Sequence, residues 1–197
     1  MSKPMNSHTL RMMIETSVMT VLLACCAWIT IPFGEVPFTL QTFGVFMAMR
    51  LLGGKWGTVC VAVYIALGAV NAPVFAGFKG GVDVLVGPTG GYIWGFLLTG
   101  IVYWASEEVQ KRLVKKEGKM IRWVVPGVVL AIGLLLCYAF GTLWFINVMS
   151  GKGNAYTIGA ALMLCVIPYL LPDAAKLVLA LILGDRVNKA LGRLDRK

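Results

Sequence analysis

The chain has 197 residues, of which 58% are apolar and only 14% are charged, and its mean hydropathy is +0.80. That balance excludes a water-soluble fold and predicts an all-α membrane protein, a single integral domain over 1–197 whose length accommodates about six crossings of roughly 20 residues each. The net charge of +9 does not indicate a nucleic-acid partner, because the basic residues lie in the gaps between apolar runs, where the positive-inside rule places them.

The first span is expected over about 12–31. It lacks a clear A-x-A cleavage site and reads as a retained helix rather than a signal peptide. Pro32 and Pro37 close it. A second, short span follows over 39–52, stopped by Gly53 and Gly54, and a third over 56–70. A stretch rich in Gly and Pro runs from Asn71 to Gly91, irregular backbone that survives near membrane depth only against protein or a cavity. The fourth span is expected over 90–113, ending in an amphipathic segment. The fifth, 121–149, is longer than one crossing requires. Pro168 and Pro172 divide the last apolar region into a short surface helix over 157–167 and a sixth span over 172–191.

Charge decides the topology. With six crossings both termini share one side, and that side carries 15 of the 18 basic residues, leaving Lys79, Lys152 and Lys176 on the other. Both termini are therefore expected in the cytoplasm. A seventh crossing would carry the basic C-terminal tail outside.

The chain carries little intramembrane charge, so Asp173 and Lys176 stand out. Spaced i, i+3 after Pro172, they share a helix face, and Asp173 is expected in the first helical turn, where the dipole favours a carboxylate. Ionisable groups in a span cost about 2.5–3.5 kcal/mol each on insertion scales. Either a structural ion pair or a ligand site with an acceptor and a cation would justify keeping them. A second candidate group is Thr39, Gln41 and Thr42 at the start of the second span. Capping is one role for Thr39; the amide of Gln41 needs a partner in an apolar helix. A third group combines the Pro73–Gly77 segment with Gly87–Tyr92, whose glycines permit close backbone approach to a ligand.

Enzymatic signatures are absent. No G-x-x-x-x-G-K-[ST] occurs, so ATP hydrolysis by that route is excluded. The single histidine, His8, lies in the N-terminal tail, which leaves an intramembrane serine protease or a metal centre without its histidines. The five cysteines all sit in apolar runs, none in a CxxC pair, and read as packing residues. No catalytic, metal or cofactor site is expected. A binding subunit driven by another protein's ATPase fits this inventory.

Three ordered strings, VPFTLQTFGVF, APVFAGFKGG with LVGPTGGYIWGF, and PDAAKLVLALILGDRV, resemble the BioY family over about Ile14 to Val187. BioY proteins are the biotin-binding S components of energy-coupling factor (ECF) transporters. The resemblance implies the six-helix S-component fold in a bacterial cell membrane, biotin as the captured ligand, and a shared transmembrane coupling subunit with two ATPase subunits as partners. It carries Asp173 and Lys176 over as the family's acid and base, Thr39 and Gln41 as its TLQT block, and Gly90, Gly91 and Tyr92 as its PTGGY block. In the expected site Asp173 accepts from the ureido N–H groups and Lys176 pairs with the acidic tail, or the two exchange roles. Phe75, Tyr92 and Trp144 are expected to wall the bicyclic ring. Asn71, Lys79 and Asp83 depart from the family's pattern, and Asn71 is either an extra ligand contact or a turn residue. The small residues Thr20 and Ala24 are expected to form the docking face for the coupling subunit. The alternatives are an S component for another vitamin and a carrier that moves biotin unaided.

Overall fold

The computed structural model describes residues 6–32, 35–117 and 121–194. The molecule is almost wholly helical. Helix α1 is Ser7–Trp28, capped by Asn6, whose side chain accepts from the amide of His8. It starts five residues before the expected span, and its last apolar residues instead form a two-residue strand. This strand, β1 (Thr30–Ile31), pairs antiparallel with β2 (Phe38–Thr39), Thr30 facing Thr39. The ribbon turns the chain back into the next helix.

That helix, α2, is Gln41–Ala69, but it folds back on itself at Gly53. Gln41 and Tyr64 are 23 residues apart yet hydrogen-bonded at 2.7 Å, whereas continuous helix would separate them by about 35 Å. Gly53 takes φ 78°, ψ 176°, a conformation open to glycine. The α-carbon of Gly54 lies so close to the later helix that carries Trp104 that a Cβ there would sit 2.4 Å from the Trp104 Cα. The two arms, 41–52 and 54–69, match the expected second and third runs and their expected break.

The connection from Asn71 to Gly81 contains a 3₁₀ turn at Ala76–Phe78 and leads to the short helix α3, Val82–Val86. Helices α4 (Gly90–Glu117) and α5 (Ile121–Gly151) form the most extensive helix pair. Glycines bring them together: a Cβ on Gly95 would lie 2.6 Å from the Cys137 sulfur, and one on Gly91 2.3 Å from the Trp144 Cβ. Small residues at such a seam let dispersion contacts do what the hydrophobic effect does not do between helices in lipid. Helix α6 is Ile158–Cys165, capped by the Thr157 hydroxyl, and α7 is Ile167–Leu194.

Two expectations change here. Helix α7 begins before Pro168, and Pro172 lies inside it. Pro172 lacks an N–H for the Pro168 carbonyl, so α7 forgoes one backbone hydrogen bond in its second turn. Asp173 is therefore beyond the first turn, too far in for the dipole to be its main support. On α1, Thr20 and Ala24 are buried with Thr16, Met19, Leu23 and Ala27 in one stripe against α2. Thr20 reaches the Cys60 sulfur at 3.4 Å. The small residues thus pack inside this chain and do not form an outward docking face.

The core contains Leu23, Phe46, Met49, Tyr64, Phe75, Leu130 and Phe145, all at most 1% exposed. Outside it the pattern inverts: Val21, Leu135 and Leu143 are each at least 60% exposed. Apolar surface of that extent calls for an apolar solvent. Ser7–Trp28, Gln41–Ala69, Trp123–Gly151 and Ile167–Gly192 are long and apolar enough to cross a membrane.

Candidate substrate-binding site

The chain's concentrated polarity lines one cavity of about 320 Å³, at the small end of the range of about 300–1,000 Å³ for small-molecule sites. The start of α2, the 75–79 loop, α4, α5 and α7 each supply part of its wall.

At its centre, Lys176 and Asp173 sit one turn apart on α7, 7% and 3% exposed. The Lys176 ammonium donates to Asp173 Oδ1 at 2.7 Å, to the Thr39 carbonyl at 2.6 Å and to the Thr42 hydroxyl at 3.3 Å. Its three N–H groups are thereby all engaged, and it also lies 4.0 Å from the centre of the Phe38 ring. Asp173 accepts from three groups: Lys176, the Thr42 hydroxyl at 2.8 Å and, on its other oxygen, the Tyr138 hydroxyl at 2.5 Å. A buried ion pair repays its desolvation only when its remaining valences are met, and here β2, α2 and α5 meet them.

Beside the pair, the Thr39 hydroxyl donates to Gln41 Oε1 at 2.9 Å, and Gln41 Nε2 donates to the Tyr64 hydroxyl at 2.7 Å. This leaves Gln41, 6% exposed, with one spare N–H and one spare acceptor position. The site therefore offers an amide able both to donate and to accept, next to a carboxylate with residual acceptor capacity.

Of the residues expected here, Thr39, Gln41, Phe75, Tyr92, Asp173 and Lys176 line the cavity. Four expected contacts lie elsewhere. Asn71 is exposed, outside the cavity's lining, with φ 68°, and closes the α2 C-terminus, a position where a short polar side chain tolerates the left-handed region. Trp144 donates its indole N–H to the Gly87 carbonyl at 3.0 Å and packs over Gly91, clamping the α4–α5 seam behind the wall. Gly90 and Gly91 are not part of the cavity's lining. A Cβ on Gly90 would lie 2.0 Å from the Leu85 carbonyl, so both glycines set how closely α4 starts against α3 and α5.

Tyr138 and Tyr169 were not singled out in the sequence, yet both line the cavity. Tyr169 donates to the Val36 carbonyl, tying α7 to the segment before β2. The available signal was the hydroxyl itself: a tyrosine in an apolar run usually holds a partner.

The BioY family model matches residues 1–193. The biotin transporter BioY of Thermotoga maritima is 40% identical over 180 residues, covering 91% of this chain and 97% of that protein. The probable biotin transporter BioY of Pyrococcus horikoshii is 34% identical, covering 82% and 86%. The crystal structure of the S-component for biotin from an ECF-type ABC transporter superposes with a TM-score of 0.80 at 24% identity, covering 95% of both chains; this likeness is one of fold. The chain belongs to the BioY family.

Proposed function

We propose that this protein is the biotin-capturing S component of an ECF-type vitamin importer. The observation that carries the reading is the buried Asp173–Lys176 pair in a vitamin-sized cavity, flanked by the half-committed Gln41 amide. Biotin's ureido ring presents two N–H donors and one carbonyl. Asp173 and Gln41 Oε1 have acceptor capacity for the donors, and the free N–H of Gln41 suits the carbonyl. Phe75, Tyr92, Ile93 and Phe96 supply apolar wall for the fused rings. Capture is binding, not chemistry, and the sequence holds no P-loop to drive transport. A shared transmembrane coupling subunit and two ATPases therefore supply the work.

In this reading the chain crosses a bacterial cell membrane six times, through α1, the two arms of α2, α4, α5 and α7. The charge asymmetry supports cytoplasmic termini, with the cavity opening on the outer side. Mass spectrometry of the purified protein tests the ligand directly. A bound species of biotin's mass is expected; a different vitamin would replace biotin as the substrate.

A further inference from the structure

The cavity is lined by four charged residues, Glu35, Lys79, Asp173 and Lys176. They form two unlike sets. Asp173 and Lys176 are buried and neutralise each other at 2.7 Å; Glu35 and Lys79 are exposed. An acidic tail arriving at Lys176 would have to displace the Thr39 carbonyl, the Thr42 hydroxyl or Asp173, since these occupy all three N–H groups. Displacement would strand a buried acceptor and bring a second carboxylate beside Asp173.

We propose that Lys79 receives the ligand's tail carboxylate, so that the ring system enters first and the charged end of the tail stays at the rim. This inference rests on biotin being the ligand. Among the described residues no hydrogen bond or ion pair engages the Lys79 ammonium, so pairing there displaces only water. The residue is nevertheless well placed. The Phe75 amide donates to the Lys79 carbonyl at 2.9 Å, and the Phe75 ring is 1% exposed in the cavity wall. The loop between them turns through Gly77 (φ 67°) and Phe78 (φ 59°). Phe78 stacks on Trp28 at 4.9 Å, and the Trp28 indole donates to the Pro73 carbonyl at 2.7 Å. The rim lysine thus stands on a loop pinned to α1 on one side and to the cavity wall on the other. A tail carboxylate there remains partly hydrated and avoids the desolvation that the interior would impose.

The test is calorimetric titration of the full-length purified protein with biotin and with biotinamide, whose tail is uncharged, in the unaltered chain and in Lys79→Gln, Lys79→Arg and Lys79→Glu. The readout is the biotin-to-biotinamide affinity ratio. It is expected at about three- to fivefold in the unaltered protein, the range for a solvent-screened ion pair, and to shrink as salt is added. Lys79→Gln should bring it to about one, Lys79→Arg should retain it, and Lys79→Glu should invert it. An unchanged ratio in Lys79→Gln would overturn the rim assignment while leaving the biotin reading intact. Failure of biotin to bind the unaltered protein would overturn both.

Discussion

The Tyr138 hydroxyl on α5 donates to one oxygen of Asp173 while Lys176 holds the other, at 2.5 Å and 2.7 Å. The carboxylate is thereby fixed in rotation from two helices, and its residual acceptor capacity has a set direction. In the proposed site, recognition of biotin's planar ureido group depends on that direction as much as on the charge.

Tyr138→Phe removes this donor and keeps the ring. A hydrogen bond to a charged group is worth about 1.5–3 kcal/mol, and only part of that is spent on orientation. We expect biotin affinity to fall about tenfold in calorimetric titration, with the melting temperature changed little. An unaltered affinity would mean that Thr42 and Lys176 suffice to orient Asp173.

Removing one member of the ion pair leaves the other buried and unpaired, at a cost of about 3–5 kcal/mol. Asp173→Ala and Lys176→Ala should each lower the unfolding temperature. The double variant should be destabilised by clearly less than the sum, because it leaves no orphaned charge. Thermal unfolding in detergent across the four-protein cycle measures this coupling. Additive losses would contradict a direct pair.

Ala24 is 4% exposed, facing α2. Ala24→Leu should therefore overpack the α1–α2 contact at about 1–3 kcal/mol and lower the stability of the isolated protein. If stability stays unchanged and only assembly with partner subunits is lost, Ala24 faces outward.

Gly91→Leu drives a side chain into Trp144, where even a Cβ would come within 2.3 Å. We expect parting of the α4–α5 seam, loss of stability on the same scale and weaker biotin binding through the displaced Tyr92. Gly77→Ala, where a Cβ meets nothing, is the control for glycine removal without a clash; its cost arises from the positive φ alone.

Local geometry explains which parts of this site were legible in the sequence. Asp173 and Lys176 meet because i, i+3 spacing on a helix requires it. The fold-back of α2 was visible because Gly53-Gly54 interrupts a run too short to cross twice without a break. Contacts between helices were not legible in the same way. Tyr138 and Asp173 are 35 positions apart, and only the packing of α5 on α7 brings them together. Thr20 and Ala24 have the spacing of a small-residue face, but spacing does not say whether that face turns inward or outward. Trp144 and Asn71 are near the cavity in sequence order and beyond its wall in space. Pro172 reads as a helix start because proline suits a first helical position, and nothing in the local sequence shows that α7 already begins at Ile167.

Binding of biotin in the Asp173–Lys176 cavity is tested by titration of biotin into the purified protein alongside the Asp173→Ala, Lys176→Ala double variant, with thiamine and riboflavin as competitors. One saturable site for biotin is expected in the unaltered chain, not displaced by the other vitamins, with a loss of affinity of at least about a hundredfold in the double variant, equivalent to about 2.8 kcal/mol. Equal biotin affinity in both proteins would contradict binding in that cavity.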